Sequence, residues 1–169
     1  FNGTYALSGG TFTSTSGTLN VNNNFTVSAG TFNHNNGTVI VRNTDTTYPV
    51  DTLTVDVATS LTFNNLQANA ADDAGTIAIA TGDTLIVLGA FTHTNGPLEG
   101  GTIRLDGSGT VVSIAATADA NYDPTTATIL SFTNGLAQTV SGTAGGYTAG
   151  MTVAKSGGTL TFTGTVGIS

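Results

Sequence analysis

Residues 10–41 read GTFTSTSGTLNVNNNFTVSAGTFNHNNGTVIV, and this stretch contains one pattern twice. Gly10-Thr11-Phe12 recurs as Gly30-Thr31-Phe32, and Gly17-Thr18-Leu19 recurs as Gly37-Thr38-Val39, both at an offset of 20 residues. A fixed period of this length is typical of solenoids and other repeat architectures. The two copies span residues 8–27 and 28–47.

Within the repeats, apolar residues alternate with Thr and Asn, which is the two-residue period of a β-strand. The same alternation predicts strands at residues 11–13, 18–21, 25–27, 38–41, 53–55, 61–63, 77–79 and 160–162. The Asn-Gly and Gly-Gly pairs between them supply residues that adopt the positive φ of tight turns. Strands this short within a 20-residue period predict an all-β fold, a parallel β-solenoid with three faces per coil.

A β-sandwich or jelly roll with strand-addition edges is the alternative fold. Residues 47–57 and 125–153 have longer apolar runs at irregular spacing, for which sandwich-like packing is open. Helical periodicity is nearly absent, and a single helical turn is predicted only in the Ala-rich stretches 67–74 and 115–121.

A longer and less exact sequence repeat divides the chain into two related modules. The apolar spacing that begins at Leu19 recurs from Leu85 onward. We therefore predict a first β-repeat module over residues 1–67 and a second over residues 68–169, with an insertion near residues 106–135.

Composition limits the classes of function. Charged residues make up 8% of the chain, the formal net charge is −7 and there is no Cys. Clustered Lys and Arg, which nucleic acids and anionic membranes require, are missing because the chain has only three basic residues. No apolar run approaches the length of a transmembrane segment. We expect an extracellular or cell-surface protein that is stabilised by backbone ladders and packing, without disulfides.

Few residues suggest site chemistry. Asp119, Asn121 and Asp123 place oxygen side chains at alternate positions, as a Ca²⁺-binding loop does, so they are the candidate calcium ligands. The full EF-hand pattern fails because Pro124 stands where Gly is required. His34 and His93 are expected on the surface of polar strands. No spacing of carboxylates, bases or nucleophiles indicates an active site, so no enzymatic function and no other cofactor is predicted.

Several motifs resemble the repeats of large bacterial surface proteins. They are Gly30 to Val39, Phe63-Asn64-Asn65-Leu66, Gln138 to Gly142 and Met151 to Leu160. The chain is similar in these stretches to Thr/Gly/Asn-rich β-strand-repeat proteins, a group that includes adhesins and β-solenoids like filamentous haemagglutinin. This resemblance implies export, a β-solenoid or stacked β-modules, and an adhesive or scaffolding role.

The function predicted from these features is structural: a subunit or section of an extracellular filament that assembles through β-strand edges or stacked ends. The predicted partners are copies of the chain itself, together with host or neighbouring-cell surfaces or glycans. An adhesin stalk and a carbohydrate- or ice-binding module are the alternatives. The predicted interface residues lie near the two termini: Tyr5, Leu7, Leu160, Phe162 and Val166.

Overall fold

The computed structural model describes residues 3–43, 52–70, 75–115, 118 and 128–168. The described residues form β-strands in four sheets and contain no helix. Sheet A has the spatial order β1 (Tyr5–Thr13), β3 (Phe25–Asn33), β5 (Thr52–Val57), β8 (Thr76–Ile79) and β11 (Leu98–Glu99). Sheet B contains β2 (Thr18–Val21), β4 (Thr38–Asn43), β7 (Asn65–Ala70), β10 (Phe91–Asn95), β13 (Gly109–Ile114), β15 (Gln138–Gly142) and β18 (Leu160–Gly164). Sheet C contains β6 (Ser60–Phe63), β9 (Thr84–Val87), β12 (Thr102–Leu105), β14 (Ile129–Phe132) and β17 (Gly150–Val153), and sheet D pairs β16 (Tyr147–Thr148) with β19 (Gly167–Ile168).

Every strand pair among the described residues is parallel. From β5 to β13 the chain passes from sheet A to sheet C to sheet B and then returns to sheet A one layer further on, whereas β1 to β4 alternate between sheets A and B, and sheet D contains β16 and β19 of the last turns. Sheet B stacks seven strands, so six turns separate β2 from β18. The predicted three-faced β-solenoid is confirmed, and the sandwich alternative is wrong for the described residues because a sandwich consists of antiparallel sheets.

The 20-residue repeat is one turn of the solenoid. Thr18 pairs with Thr38 and Phe12 pairs with Phe32, so equivalent residues of the two copies lie directly above one another. Later turns contain more residues, since Thr38 pairs with Asn65. The pairing stays in register within these strands, since Thr38–Asn43 pairs residue by residue with Asn65–Ala70.

The sequence-based modules do not coincide with a break in the solenoid. Strand β7 runs across residues 67 and 68, and it pairs with β4 on one side and β10 on the other. Strands β13 and β14 lie in the stretch predicted as an insertion, and residues 119–127 of that stretch lie outside the described residues. The division into two related modules stays a prediction.

The helical turn predicted for residues 67–74 is wrong over residues 67–70, which belong to β7. Leu66, Ala68 and Ala70 alternate with polar residues and point into the coil, where each is buried. Ladder bonds to strands on both sides outweigh the helix propensity of Ala, which is only a weak local preference. The turn predicted for residues 115–121 falls largely outside the described residues.

Inward-facing residues form columns that run along the solenoid. One of them, which we name the Phe91 column, crosses all seven strands of sheet B and consists of Leu19, Val39, Leu66, Phe91, Val112, Val140 and Phe162. Its five middle members are at most 3% exposed, whereas Phe162 at the end is 47% exposed. The core is therefore continuous along the axis and stops abruptly at the last turn.

Asn side chains fasten the corners of successive turns to one another. Asn35 and Asn36 adopt left-handed φ angles of 49° and 58°, which Asn tolerates better than most residues. The Nδ2 of Asn35 donates to the carbonyl of Ser14 at 3.0 Å, and the Nδ2 of Asn64 donates to the carbonyl of Asn36 at 2.8 Å. The predicted Asn36-Gly37 turn is present, but Asn35 and Asn36, and not Gly37, supply its left-handed residues.

Candidate functional site

The first turn leaves the apolar interior partly uncovered. Tyr5 stacks on Phe25 with ring centroids 4.8 Å apart, and Phe12 stacks on Phe32 at 5.8 Å. Leu19 and Phe12 are half-buried, although their ladder partners one turn further along are buried. Strands β1 and β2 are the outermost strands of sheets A and B. This end therefore presents both strand edges and apolar side chains.

Tyr5 gives this first turn a pH dependence. Burial raises the pKa of the Tyr5 phenol above its ordinary value of 10.0. A raised pKa in the folded state means that folding is stabilised fully below about pH 10, and that stability falls as the pH rises toward the folded-state value. We expect the free energy of unfolding, measured with urea between pH 8 and pH 11, to fall above about pH 10 and to fall less in Tyr5→Phe. An equal fall in Tyr5→Phe would show that Tyr5 is not responsible.

The last turn exposes residues whose equivalents one turn earlier are fully buried. Val153 is 55% exposed and Phe162 is 47% exposed, while their ladder partners Phe132 and Val140 are both 0% exposed. Ile168 on β19 is 54% exposed and pairs with Thr148, which is 0% exposed. These side chains point inward, so their exposure reflects the absence of a covering turn among the described residues. The last turn is an unfinished layer of the core.

A polar cluster ties this last turn to the two turns before it. The Gln138 side chain is 1% exposed, and its Nε2 donates to the carbonyls of Leu105 at 2.8 Å and Gly107 at 2.9 Å. The Nζ of Lys155 donates to Gln138 Oε1 at 2.7 Å and to Asn134 Oδ1 at 3.2 Å. These hydrogen bonds join residues of three successive turns, and they therefore hold the corner before β18 in place.

Acidic residues are confined to the middle of the chain. All ten acidic residues lie between Asp45 and Asp123, and the bases are Arg42, Arg104 and Lys155. Both ends of the solenoid are consequently free of acidic side chains, and Lys155 is the single charged side chain after residue 127. Two such ends do not repel each other, although the chain as a whole carries a net charge of −7.

The residues predicted for the interface lie on the first and last turns. Leu7, Leu160 and Val166 are half-buried and Phe162 is about half exposed, whereas the Tyr5 side chain is only 5% exposed. The backbone of β1 lies at the open edge of sheet A, but the Tyr5 ring packs inside the coil. An interface role for these residues stays a prediction.

The predicted calcium ligands Asp119, Asn121 and Asp123 lie outside the described residues, and the calcium site stays a prediction. Within the described parts of the chain, no group of three or more His, Asp and Glu side chains is placed to hold a metal ion. Over the same residues, no helix has the length and hydropathy needed to cross a membrane.

The surface position predicted for His93 is wrong. His93 is 0% exposed because it faces inward on β10, between Ala68 and Ile114, and its Nε2 lies 2.7 Å from the carbonyl oxygen of Gly96. His34 is half-buried at a corner, where its Nδ1 accepts the backbone N–H of Asn36 at 3.1 Å. Residues 91 and 93 lie two positions apart on one strand, so their side chains share a face of the sheet. Because an apolar residue such as Phe91 is expected in the core, the sequence alone indicates that His93 faces the core as well.

The architecture defines this chain as a parallel β-solenoid repeat protein whose distinctive surfaces are its two ends. Comparisons with protein-family models, with curated proteins and with solved structures find no match to the chain.

Proposed function

We propose that the chain is a structural section of an extracellular or cell-surface filament that grows by adding solenoid turns end to end. The observation that carries this proposal is the exposure of Val153 and Phe162, which point into the core and have nothing above them among the described residues. A turn from another copy would give each of these side chains the surroundings that its neighbour one layer below already has.

Approximate free energies of burial, association and hydrogen bonding indicate which contacts such an assembly needs. Full burial of a Val or Phe side chain contributes about 1.5–3 kcal/mol, so covering the exposed half of these two contributes about 2 kcal/mol in total. Association of two molecules costs about 4–15 kcal/mol in lost freedom. Apolar contact at the last turn is therefore insufficient by itself. Ladder hydrogen bonds along the open strand edges, at about 0.5–1.5 kcal/mol each, have to contribute the remainder.

Composition supports the extracellular setting and the absence of catalysis. The chain has no Cys and few charges, and its outward-facing strand residues are mainly Thr, Ser and Asn. The resemblance of its repeats to bacterial surface proteins supports the same setting. An adhesin stalk, in which further solenoid turns cover the ends, is the second function that the open ends favour.

Self-association of the purified chain tests the filament function. We expect sedimentation velocity to show species larger than a monomer that increase with protein concentration, and electron microscopy of the concentrated sample to show unbranched filaments. A variant with Thr54→Ala on the side of the solenoid should assemble like the wild type, because Thr54 lies on β5, well inside sheet A. A chain that remains monomeric at high concentration and forms no filaments would contradict the proposal.

A further inference from the structure

We propose that the first turn of one copy stacks directly on the last turn of a second copy, head to tail, in the parallel register that the chain uses internally. This inference rests on the filament function proposed above. It adds the polarity of the contact and the residues that meet.

A glycine in the first turn points to this contact. Gly37 and Gly17 occupy equivalent corners one turn apart, because Thr38 pairs with Thr18. A Cβ on Gly37 would overlap the carbonyl oxygen of Thr15 and lie 2.7 Å from that of Gly17, so the preceding turn requires glycine there. Gly107 is constrained in the same way, since its Cβ would lie 2.7 Å from the carbonyl oxygen of Gly89 one turn earlier.

Gly17 has no such constraint within its own chain. The nearest atom to a Cβ built there is Thr15 Oγ1 at 3.6 Å, which is ordinary van der Waals contact, and its φ is not left-handed. Glycine at this corner is explained if another turn packs against it as residues 15–17 pack against Gly37. A turn in that position would precede the first turn in the stack, and we assign it to the last turn of a second copy.

The columns of the core continue across such a contact. Leu19 begins the Phe91 column and Phe162 ends it, so stacking in register places the second copy's Leu19 on Phe162. Phe12 stacks on Phe32, which contacts Phe63 of sheet C at 5.8 Å, so the second copy's Phe12 would cover Val153 at the end of sheet C. The half-exposed apolar residues of one end thereby cover those of the other end.

Open strand edges match in direction as well. The Thr38 N–H donates to the Gly17 carbonyl at 2.8 Å, so the backbone groups of Gly17 and Leu19 face β4 and those of Thr18 face the open edge. At the other end, the Gln138 N–H donates to the Thr159 carbonyl at 2.9 Å, which leaves the backbone groups of Leu160 and Phe162 facing outward. All four sheets are parallel, so a head-to-tail contact is the one arrangement that continues their ladders.

One strand has to move for the contact to form. Strand β19 lies one step beyond β18 in the winding order, at the position that the second copy's Tyr5–Leu7 would take. It is held by a pairing of only two residues with β16, and Ile168 is more than half exposed. Removal of residues 167–169 should therefore allow assembly at a lower concentration than the full chain requires. Unchanged or weaker assembly would contradict stacking on this face.

Two glycine variants distinguish an effect on the contact between copies from an effect on the stability of the monomer. Gly37→Ala should lower the melting temperature of the dilute monomer, because its Cβ overlaps backbone that cannot rotate away. Gly17→Ala should leave that melting temperature unchanged and raise the concentration for half-assembly by about tenfold or more. If the wild type assembles and Gly17→Ala assembles equally well, the proposed contact is wrong and the filament function stands. If the wild type does not assemble, the filament function itself fails.

Mixing two blocked variants tests the polarity. Thr18→Pro removes an outward N–H from the first turn, and Phe162→Asp places a charge on the last turn, where the side chain is already 47% exposed. Circular dichroism identifies any variant that fails to fold, in which case Thr18→Lys or Phe162→Lys replaces it. Each variant alone should be monomeric, and a mixture should form heterodimers that grow no further. A dimer of either variant alone would show a symmetric contact and overturn the proposal.

Discussion

Replacement of Phe91 by Ala is expected to lower the free energy of unfolding by about 3–5 kcal/mol, the usual effect of truncating a fully buried Phe. Phe91 is 0% exposed and lies between Leu66 and Val112 in the middle of the Phe91 column. Turns on both sides hold these neighbours in their ladders, so the space left by the ring cannot collapse easily. Urea unfolding of the dilute monomer, followed by circular dichroism, measures the change.

Phe162→Ala is the matched control, because Phe162 belongs to the same column and is 47% exposed. Its effect on the monomer should be clearly smaller than that of Phe91→Ala, and it should weaken assembly. Equal effects of the two variants on the monomer would mean that the last turn is already covered.

Gln138→Ala is expected to lower the free energy of unfolding by about 1–3 kcal/mol, because it removes three hydrogen bonds at a buried position, although Asn134 still bonds each of the three partners. The carbonyls of Leu105 and Gly107 lose a donor, and Lys155 Nζ loses one of its two acceptors. Since the cluster joins the last turn to the body of the solenoid, hydrogen exchange in β18 should also become faster.

Thr139→Ala provides the comparison for Gln138→Ala. Thr139 is the next residue on β15, and its half-buried side chain faces outward, so its replacement should change stability by only about 0.5 kcal/mol. If both variants are equally stable, the polar cluster does not hold the last turn in place.

The sequence was most informative where the repeat is exact. Residues 10–41 predicted both the register of the first two turns and the inward phase of their strands, because an unchanged period leaves only one way to stack. Strand β7 was missed at its Ala residues, since Ala has no β-branched signal and the packing of Ala68 and Ala70 is decided by neighbouring turns. His93 was misplaced because its polar side chain was weighed above its position two residues after Phe91, and the partner that allows its burial, the Gly96 carbonyl, is seen only in the structure.

The ends were predicted as assembly surfaces from their position in the chain, but their detailed roles required the structure. Tyr5 reads as an edge residue, yet the stacking of its ring on Phe25 places it inside the coil. The difference between Gly17 and Gly37 cannot be read from the sequence, in which they occupy identical repeat positions. It depends on whether a turn packs beneath each of them.

X-ray fibre diffraction from aligned filaments of the wild-type chain tests end-to-end stacking most directly. Solenoids that stack along the filament axis place their strands across it, so a meridional reflection at about 4.8 Å is expected. Lateral association of solenoids lying across the axis would move this reflection to the equator. That result, or the absence of any filament at high concentration, would contradict end-to-end stacking.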